Sequence, residues 1–112
     1  MCIRDRYIAA FDDFDVLLCP VTASSAPALG VLATDIGFDE ALNRLLAYAS
    51  FTGIQNAAGA PAISLPLGMS DNNLPIGAMF AAKPGEERKL LELSYELERA
   101  FAWSGRRPGV FG

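Results

Sequence analysis

Phe51–Lys83, FTGIQNAAGAPAISLPLGMSDNNLPIGAMFAAK, is the stretch whose reading decides the fold. Its opening residues, Phe51 to Ala58, read as a short helix that ends at Gly59, where glycine accepts the left-handed backbone of a C-terminal cap. Pro61 pushes Ala60 into extended geometry, and the apolar run Ala62–Leu67 follows as a strand. Pro66 has no N–H to give to a ladder, so the pairing is expected to break there or to lie at an edge. Gly68–Leu74 is a turn, and Asn72-Asn73 tolerates left-handed conformations better than most residues. Ile76–Ala82 is the returning strand. Two such runs around a polar turn make an antiparallel hairpin, whose register stays open because the connection exceeds two residues.

Downstream, Gly85–Phe101 is a helix. Leu90, Leu93, Leu97 and Phe101 recur at helical spacing and define an apolar face, with Arg88, Glu92, Glu96 and Arg99 on the polar side. Glu86 and Glu87 stand at the positive end of its dipole. Upstream, Phe38–Ala49 is a second amphipathic helix. Ala41, Leu42, Leu45, Leu46 and Ala49 form its stripe, and Asp39 is its N-cap or lies in its first turn. Val21–Gly37 reads as a loop punctuated by Pro27 and Gly30. A loop of that length points to function or to packing on another part of the protein. Asp15–Cys19 (DVLLC) is a short apolar run stopped by Pro20, as expected of a strand covered on both faces. Tyr7–Phe11 is the last turn of a helix, with Tyr7, Ala10 and Phe11 on one face, broken by Asp12 and Asp13. The first six residues, MCIRDR, are out of character and resemble a translated adapter remnant. Residues 1–6 are therefore set apart from 7–112 as non-native, the alternative being the true end of an upstream helix.

A chain of 112 residues is one domain or a piece of one. Self-contained, it would bury roughly 60–70% of its unfolded surface. Its composition is 52% hydrophobic with a mean hydropathy of +0.27, which is apolar for so short a chain. Either part of the surface packs on protein outside this stretch, or alanine inflates the count. The formal net charge of −4 and the pI near 4.6 give phosphates nothing to bind, so nucleic acid is not a partner. No apolar run reaches the ~18 residues of a membrane span, and no membrane partner is expected. The N-terminus lacks the apolar core of a signal peptide, which favours the cytoplasm, although a signal upstream of residue 1 would not show. Cys2 and Cys19 are too few for a disulfide framework. With no histidine in the chain and no carboxylates at ligand spacing, neither a metal nor a cofactor is expected.

Amide chemistry needs a nucleophile, a base to activate it and donors for an oxyanion. Routes through imidazole are excluded by composition. A lysine base would need desolvation to lower its pKa. Lys83 ends a strand beside Pro84-Gly85, and Lys89 sits on a solvated helix side, so neither reads as catalytic. Ser24-Ser25 is flanked by alanines rather than by the glycines that let backbone crowd an oxyanion, and reads as loop. Cys19 has no cation to hold its thiolate. Asp12, Asp13 and Asp15 read as a solvent-facing cluster at a strand entrance. No catalytic residue is assigned. Phe51 and Gln55, and Thr52 and Asn56, are each four apart and share helix faces near a strand end, where α/β folds form pockets. They are candidates for a substrate pocket wall; the competing reading is that Thr52 and Asn56 bond the local backbone to hold the bend.

FTGIQNAAGAPAISLPLG resembles the helix-Gly-x-Pro-strand signature of the amidase signature family. DVLLCP with its Pro/Ala-rich loop, NNLPIGAMFAAKPGEERKLLELSYELE, and Trp103 with Arg106-Arg107-Pro108 resemble the family's neighbouring segments in the same order. The resemblance implies an α/β fold: the C-terminal part of the amidase signature fold, a mixed sheet with an antiparallel hairpin covered by helices. It implies an amidase, hydrolysing carboxamides through an acyl-serine. The family's nucleophile, cis-peptide serine and lysine base lie in a Gly/Ser-rich segment that nothing here matches. The expectation is therefore a C-terminal portion of an amidase domain that supplies sheet, helical cover and pocket wall. Its partners would be the N-terminal part of the same chain and a small-molecule amide substrate, and its coding sequence should continue upstream of MCIRDR. On its own the stretch is expected to be inactive. Two alternatives remain open: a free-standing non-catalytic α/β binding or interaction module, and an amidase-like subunit of a tRNA-dependent amidotransferase.

Overall fold

A computed structural model describes residues 2–110. The hairpin forms as β2 (Ala62–Met69) and β3 (Pro75–Ala81). Its turn is closed by Ser70 and Leu74, with the Ser70 N–H donating to the Leu74 carbonyl at 2.8 Å. Asn73 takes the left-handed conformation at φ 59°. The pairing slips where expected: Leu65 faces Ala78, but the next pair is Gly68 with Ile76. Pro66 cannot donate, so the ladder bulges around it. A third strand, β1 (Leu17–Pro20), pairs antiparallel with the other edge of β3, giving the sheet order β1-β3-β2.

Each face of this sheet is covered by different helices. On one face lie Ile63, Leu65, Ala78 and Phe80. Here α4 (Glu87–Phe101) lays Leu90, with Leu93 and Leu97 beside it, onto Leu65, Phe80 and Ala82. Burying a leucine this way contributes about 1.5–3 kcal/mol. The stripe ends before Phe101, which is 46% exposed. Ala102 turns left-handed at φ 46° and ends the helix, so Trp103 packs on the core in Phe101's place. The opposite face receives α1 (Ile3–Ala10) and α3 (Gly53–Ala58). Tyr7, Phe11 and Ala58 form a second cluster there, with Leu17 and Ala60 against it. The Tyr7 and Phe11 rings lie 5.1 Å apart; Ala10 is exposed. Gly59, at φ 62°, turns the chain from α3 into β2. Gly77 is needed for close approach, because a Cβ there would sit 2.8 Å from a Val21 methyl.

Helix α1 begins at Ile3, so it includes residues that the sequence sets apart; Met1 lies outside the described residues. One expectation is corrected. The first strand is not covered on both faces: Leu18 is 61% exposed, because β1 lies at a sheet edge that α4 does not reach. Helix α2 (Phe38–Tyr48) forms with Asp39 in its first turn, yet none of its residues is buried. Leu42, Leu45 and Leu46 are 39%, 50% and 60% exposed. The preceding loop leans on it through Ala23 N–H to the Tyr48 carbonyl and Arg44 to the Val31 carbonyl, at 2.9 and 3.0 Å.

The radius of gyration is 16.5 Å, against about 13 Å for a compact chain of this length. The accessible surface is 7932 Å², about 2,000 Å² more than a self-contained protein of this mass exposes. Large aliphatic side chains, among them Leu18, Leu45 and Leu46, stand on that surface.

Leu90→Ala should destabilise the chain by about 2–5 kcal/mol, whereas Leu46→Ala should change stability by less than about 0.5 kcal/mol. Urea unfolding of the two variants, followed by circular dichroism, checks the contrast.

Candidate functional site

The four pocket candidates lie around the first turn of α3. Thr52 is the N-cap residue but makes no side-chain capping bond. Phe51 precedes the helix and is 36% exposed. Asn56 is exposed and Gln55 is buried. One orientation of the Gln55 amide satisfies its surroundings: its nitrogen donates to the Phe51 carbonyl at 2.9 Å and to the Thr52 carbonyl at 3.2 Å. Amide orientation is assigned from such a network. Its oxygen is then available to the Tyr7 hydroxyl, which is buried and otherwise has no partner. The bend is therefore tied by Gln55, not by Thr52 or Asn56. The residue that the sequence singles out for a pocket wall also joins α3 to α1.

Burial pushes the Tyr7 phenol above its ordinary value of 10.0, and the nearby Cys19 adds to the rise. A Gln55 nitrogen facing the phenol would lower it; with the amide turned, the oxygen accepts the phenol proton instead and favours the neutral form. Burial likewise pushes the Cys19 thiol above 9.0. A raised thiol is the opposite of what a nucleophile needs.

The lysines are engaged with carboxylates. Lys83 Nζ meets Asp12 at 3.2 Å, and Lys89 Nζ meets Asp15 and Glu86, each at 3.2 Å. Asp15 first, then Glu86, pushes the Lys89 ammonium up, away from a general base. The Lys83–Asp12 and Lys89–Asp15 pairs fasten the Asp12–Asp15 turn to the segment after β3, although exposed pairs of this kind stabilise little. In the serine doublet, Ser24 Oγ donates to the Ser25 carbonyl at 3.1 Å, and Thr22 Oγ1 donates to the Ser24 carbonyl at 2.8 Å.

Three concavities stand out. Leu32, Thr34, Phe38, Leu42 and Leu45 line one of about 210 Å³. Pro27, Val31, Arg44 and Tyr48 line another of about 280 Å³. The Val21–Gly37 loop thus builds hollows against α2. The third, of about 390 Å³, lies between Pro66, Met69, Pro75, Trp103, Arg106 and Pro108. None of the three is lined by Phe51, Thr52, Gln55 or Asn56. The sequence reading missed this last cleft and the link from Tyr7 to Gln55. The strand proline followed at a distance by an arginine pair was the available signal for the cleft.

Compared with known proteins, residues 1–91 match the family model described as amidase. The chain belongs to the amidase family. It is 46% identical over 103 residues to a protein named as an amidase, AmiC, of Mycobacterium tuberculosis, aligning 91% of this chain with 21% of that protein. It is 37% identical over 101 residues to the 6-aminohexanoate-cyclic-dimer hydrolase of Paenarthrobacter ureafaciens, covering 85% of this chain and 20% of the relative. Among solved structures, a 6-aminohexanoate cyclic dimer hydrolase superposes with a TM-score of 0.80 at 31% identity, over 95% of this chain and 23% of that one. A glutamyl-tRNA(Gln) amidotransferase subunit of Thermotoga maritima gives a TM-score of 0.73 at 27% identity, over 97% and 22%. This amidase-family chain therefore spans about a fifth of the length of the curated relatives it matches.

Gln55→Ala should lower stability by about 1–3 kcal/mol, since it orphans a buried phenol and two carbonyls, while Asn56→Ala should leave the unfolding midpoint unmoved. Alkaline pH should weaken the fold. The folded chain holds the Tyr7 and Cys19 protons more tightly than the unfolded chain, so stability is full below pH 9.0 and falls as pH rises through the raised values. Urea midpoints measured from about pH 8 to pH 11 should drop less steeply in Tyr7→Phe and in Cys19→Ser.

Proposed function

We propose that this chain is the C-terminal portion, residues 7–112 at least, of an amidase acting on carbon–nitrogen bonds of carboxamides. It supplies three sheet strands, helical cover and part of the acyl-pocket wall. The serine nucleophile, cis-peptide serine and lysine base belong to a part of the polypeptide that this stretch does not include. One observation carries the reading: the backbone follows a 6-aminohexanoate cyclic dimer hydrolase over 95% of its own length, while corresponding to 23% of that chain. The physics within the chain agrees. Among the described residues no side chain meets the demands of an activated nucleophile, and α2 keeps Leu42, Leu45 and Leu46 exposed beside the loop that precedes it.

The partner in this reading is the preceding part of the same enzyme. About 2,000 Å² of excess surface is what one side of a permanent interface buries. The α2 stripe, Leu18 and the hollows beside the Val21–Gly37 loop are the surfaces such a partner would cover. Phe51, Thr52 and Asn56, at the exposed start of α3, remain the pocket-wall candidates, with Gln55 holding the turn that carries them. An uncovered apolar helix would also suit a free-standing interaction module, so the amidase family match over residues 1–91 is what favours the enzyme reading. The amidotransferase reading draws on a relative 37% identical over 108 residues, yet identity to the AmiC protein reaches 46%. Amide hydrolysis is the reading that the AmiC protein and the 6-aminohexanoate-cyclic-dimer hydrolase favour.

Purified alone, the chain should hydrolyse neither simple amides nor simple esters, and it should bind a hydrophobic dye that Leu45→Glu partly displaces. Substituted for its counterpart in a 6-aminohexanoate-cyclic-dimer hydrolase, it should restore measurable amide turnover. Hydrolysis by the isolated chain that disappears on altering Cys19 or Ser24 would sink the proposal. So would a dye-free, monodisperse chain whose chimera folds but stays inactive.

A further inference from the structure

The cleft beside Trp103 carries chemistry that the amide-hydrolysis reading leaves unused. Two irregularities of the chain build it. The bulge at Pro66 interrupts the β2–β3 ladder, and the Pro66 carbonyl accepts a hydrogen bond from Arg106 at 3.1 Å. The left-handed Ala102 turns Trp103 back onto the sheet core. Between these two anchors, Pro66, Met69, Pro75, Trp103 and Pro108 form apolar walls, and Arg106 and Arg107 supply positive charge. The volume of about 390 Å³ falls within the range of small-molecule sites. No carboxylate lines the cleft among the described residues, although the chain as a whole carries a formal charge of −4. The partner that orients Arg106 is a neutral carbonyl. It fixes the guanidinium without cancelling its charge, and it leaves other N–H groups of the fork to donate.

The geometry points to a binding cleft for a small carboxylate with a flat apolar body, its carboxylate on Arg106 and its body against Trp103. A guanidinium meets a carboxylate with two parallel N–H bonds. The indole, methionine and proline walls take the apolar remainder. A neutral amide of the same shape keeps those wall contacts and loses the charge-assisted bonds. An acid without the apolar body keeps the charge and loses the walls.

Trp103 is the single tryptophan of the sequence and lines the cleft, so its emission reports binding there. The full chain is titrated with benzoate, and in parallel with benzamide and with acetate, while far-UV circular dichroism monitors the fold. Benzoate should give a saturable change in emission with a dissociation constant of about 1 mM. Benzamide and acetate should each bind about tenfold more weakly or worse. Arg106→Gln should reduce benzoate to the level of benzamide, and Met69→Glu, which adds a carboxylate to an exposed wall, should weaken benzoate whether or not Arg106→Gln folds. The inference is overturned if a folded chain shows no saturable response to benzoate, if benzamide binds as well as benzoate, or if Met69→Glu binds benzoate like the parent chain. None of these outcomes depends on amide hydrolysis, so the cleft and the catalytic reading stand or fall separately.

Discussion

Leu90 against Phe80, Leu65 and Ala82 is the contact on which the rest depends. It joins the last helix to the hairpin across gaps of eight to twenty-five residues in sequence. Two strands alone are marginal in water and need a packed face; α4 provides that face. With the hairpin fixed, β3 offers its free edge to β1. The Asp12–Lys83 and Asp15–Lys89 pairs then hold the entrance of β1 beside the start of α4. Nothing in the first half of the chain has a comparable anchor of its own. Tyr7 and Phe11 reach the sheet through Leu17, Ala58 and Ala60, so the second core inherits its position from the first.

Around that anchored sheet the surface is uneven. One end of the molecule has faces paired and charges matched. The other, made of α2 and the loop before it, shows large aliphatic side chains to solvent while its backbone is regular. An amphipathic helix gains most of its stability from packing its apolar side. With Leu42, Leu45 and Leu46 exposed, α2 draws little of its stability from packing within this chain. The close superposition on a much longer hydrolase fits this physical picture.

The polar chemistry separates in the same way. Lys89, Tyr7 and Cys19 all hold their protons more tightly than usual, for different causes: carboxylates around the ammonium, burial around the phenol and the thiol. Acyl transfer at neutral pH needs a group pushed the other way. In this stretch, polar side chains hold loops and helices in place, as Gln55 does for the α3 turn and Arg106 for the bulge at Pro66.

Local chemistry made much of this fold legible from residue order. Gly59, Pro61 and Pro66 mark where a helix must stop, where a strand begins and where its ladder breaks, because each restricts its own backbone whatever surrounds it. The leucine period of α4 and the apolar runs of the hairpin were equally plain. Family membership could be read from the order of these segments. Only tertiary structure decided that Trp103 rather than Phe101 closes the core, since a left-handed Ala102 re-aims the chain. It alone decided that Leu18 faces out, that Gln55 serves a buried phenol, and that an arginine claims the carbonyl left by a strand proline. Those outcomes depend on which distant surfaces meet, and periodicity along one chain carries no information about a partner across the sheet.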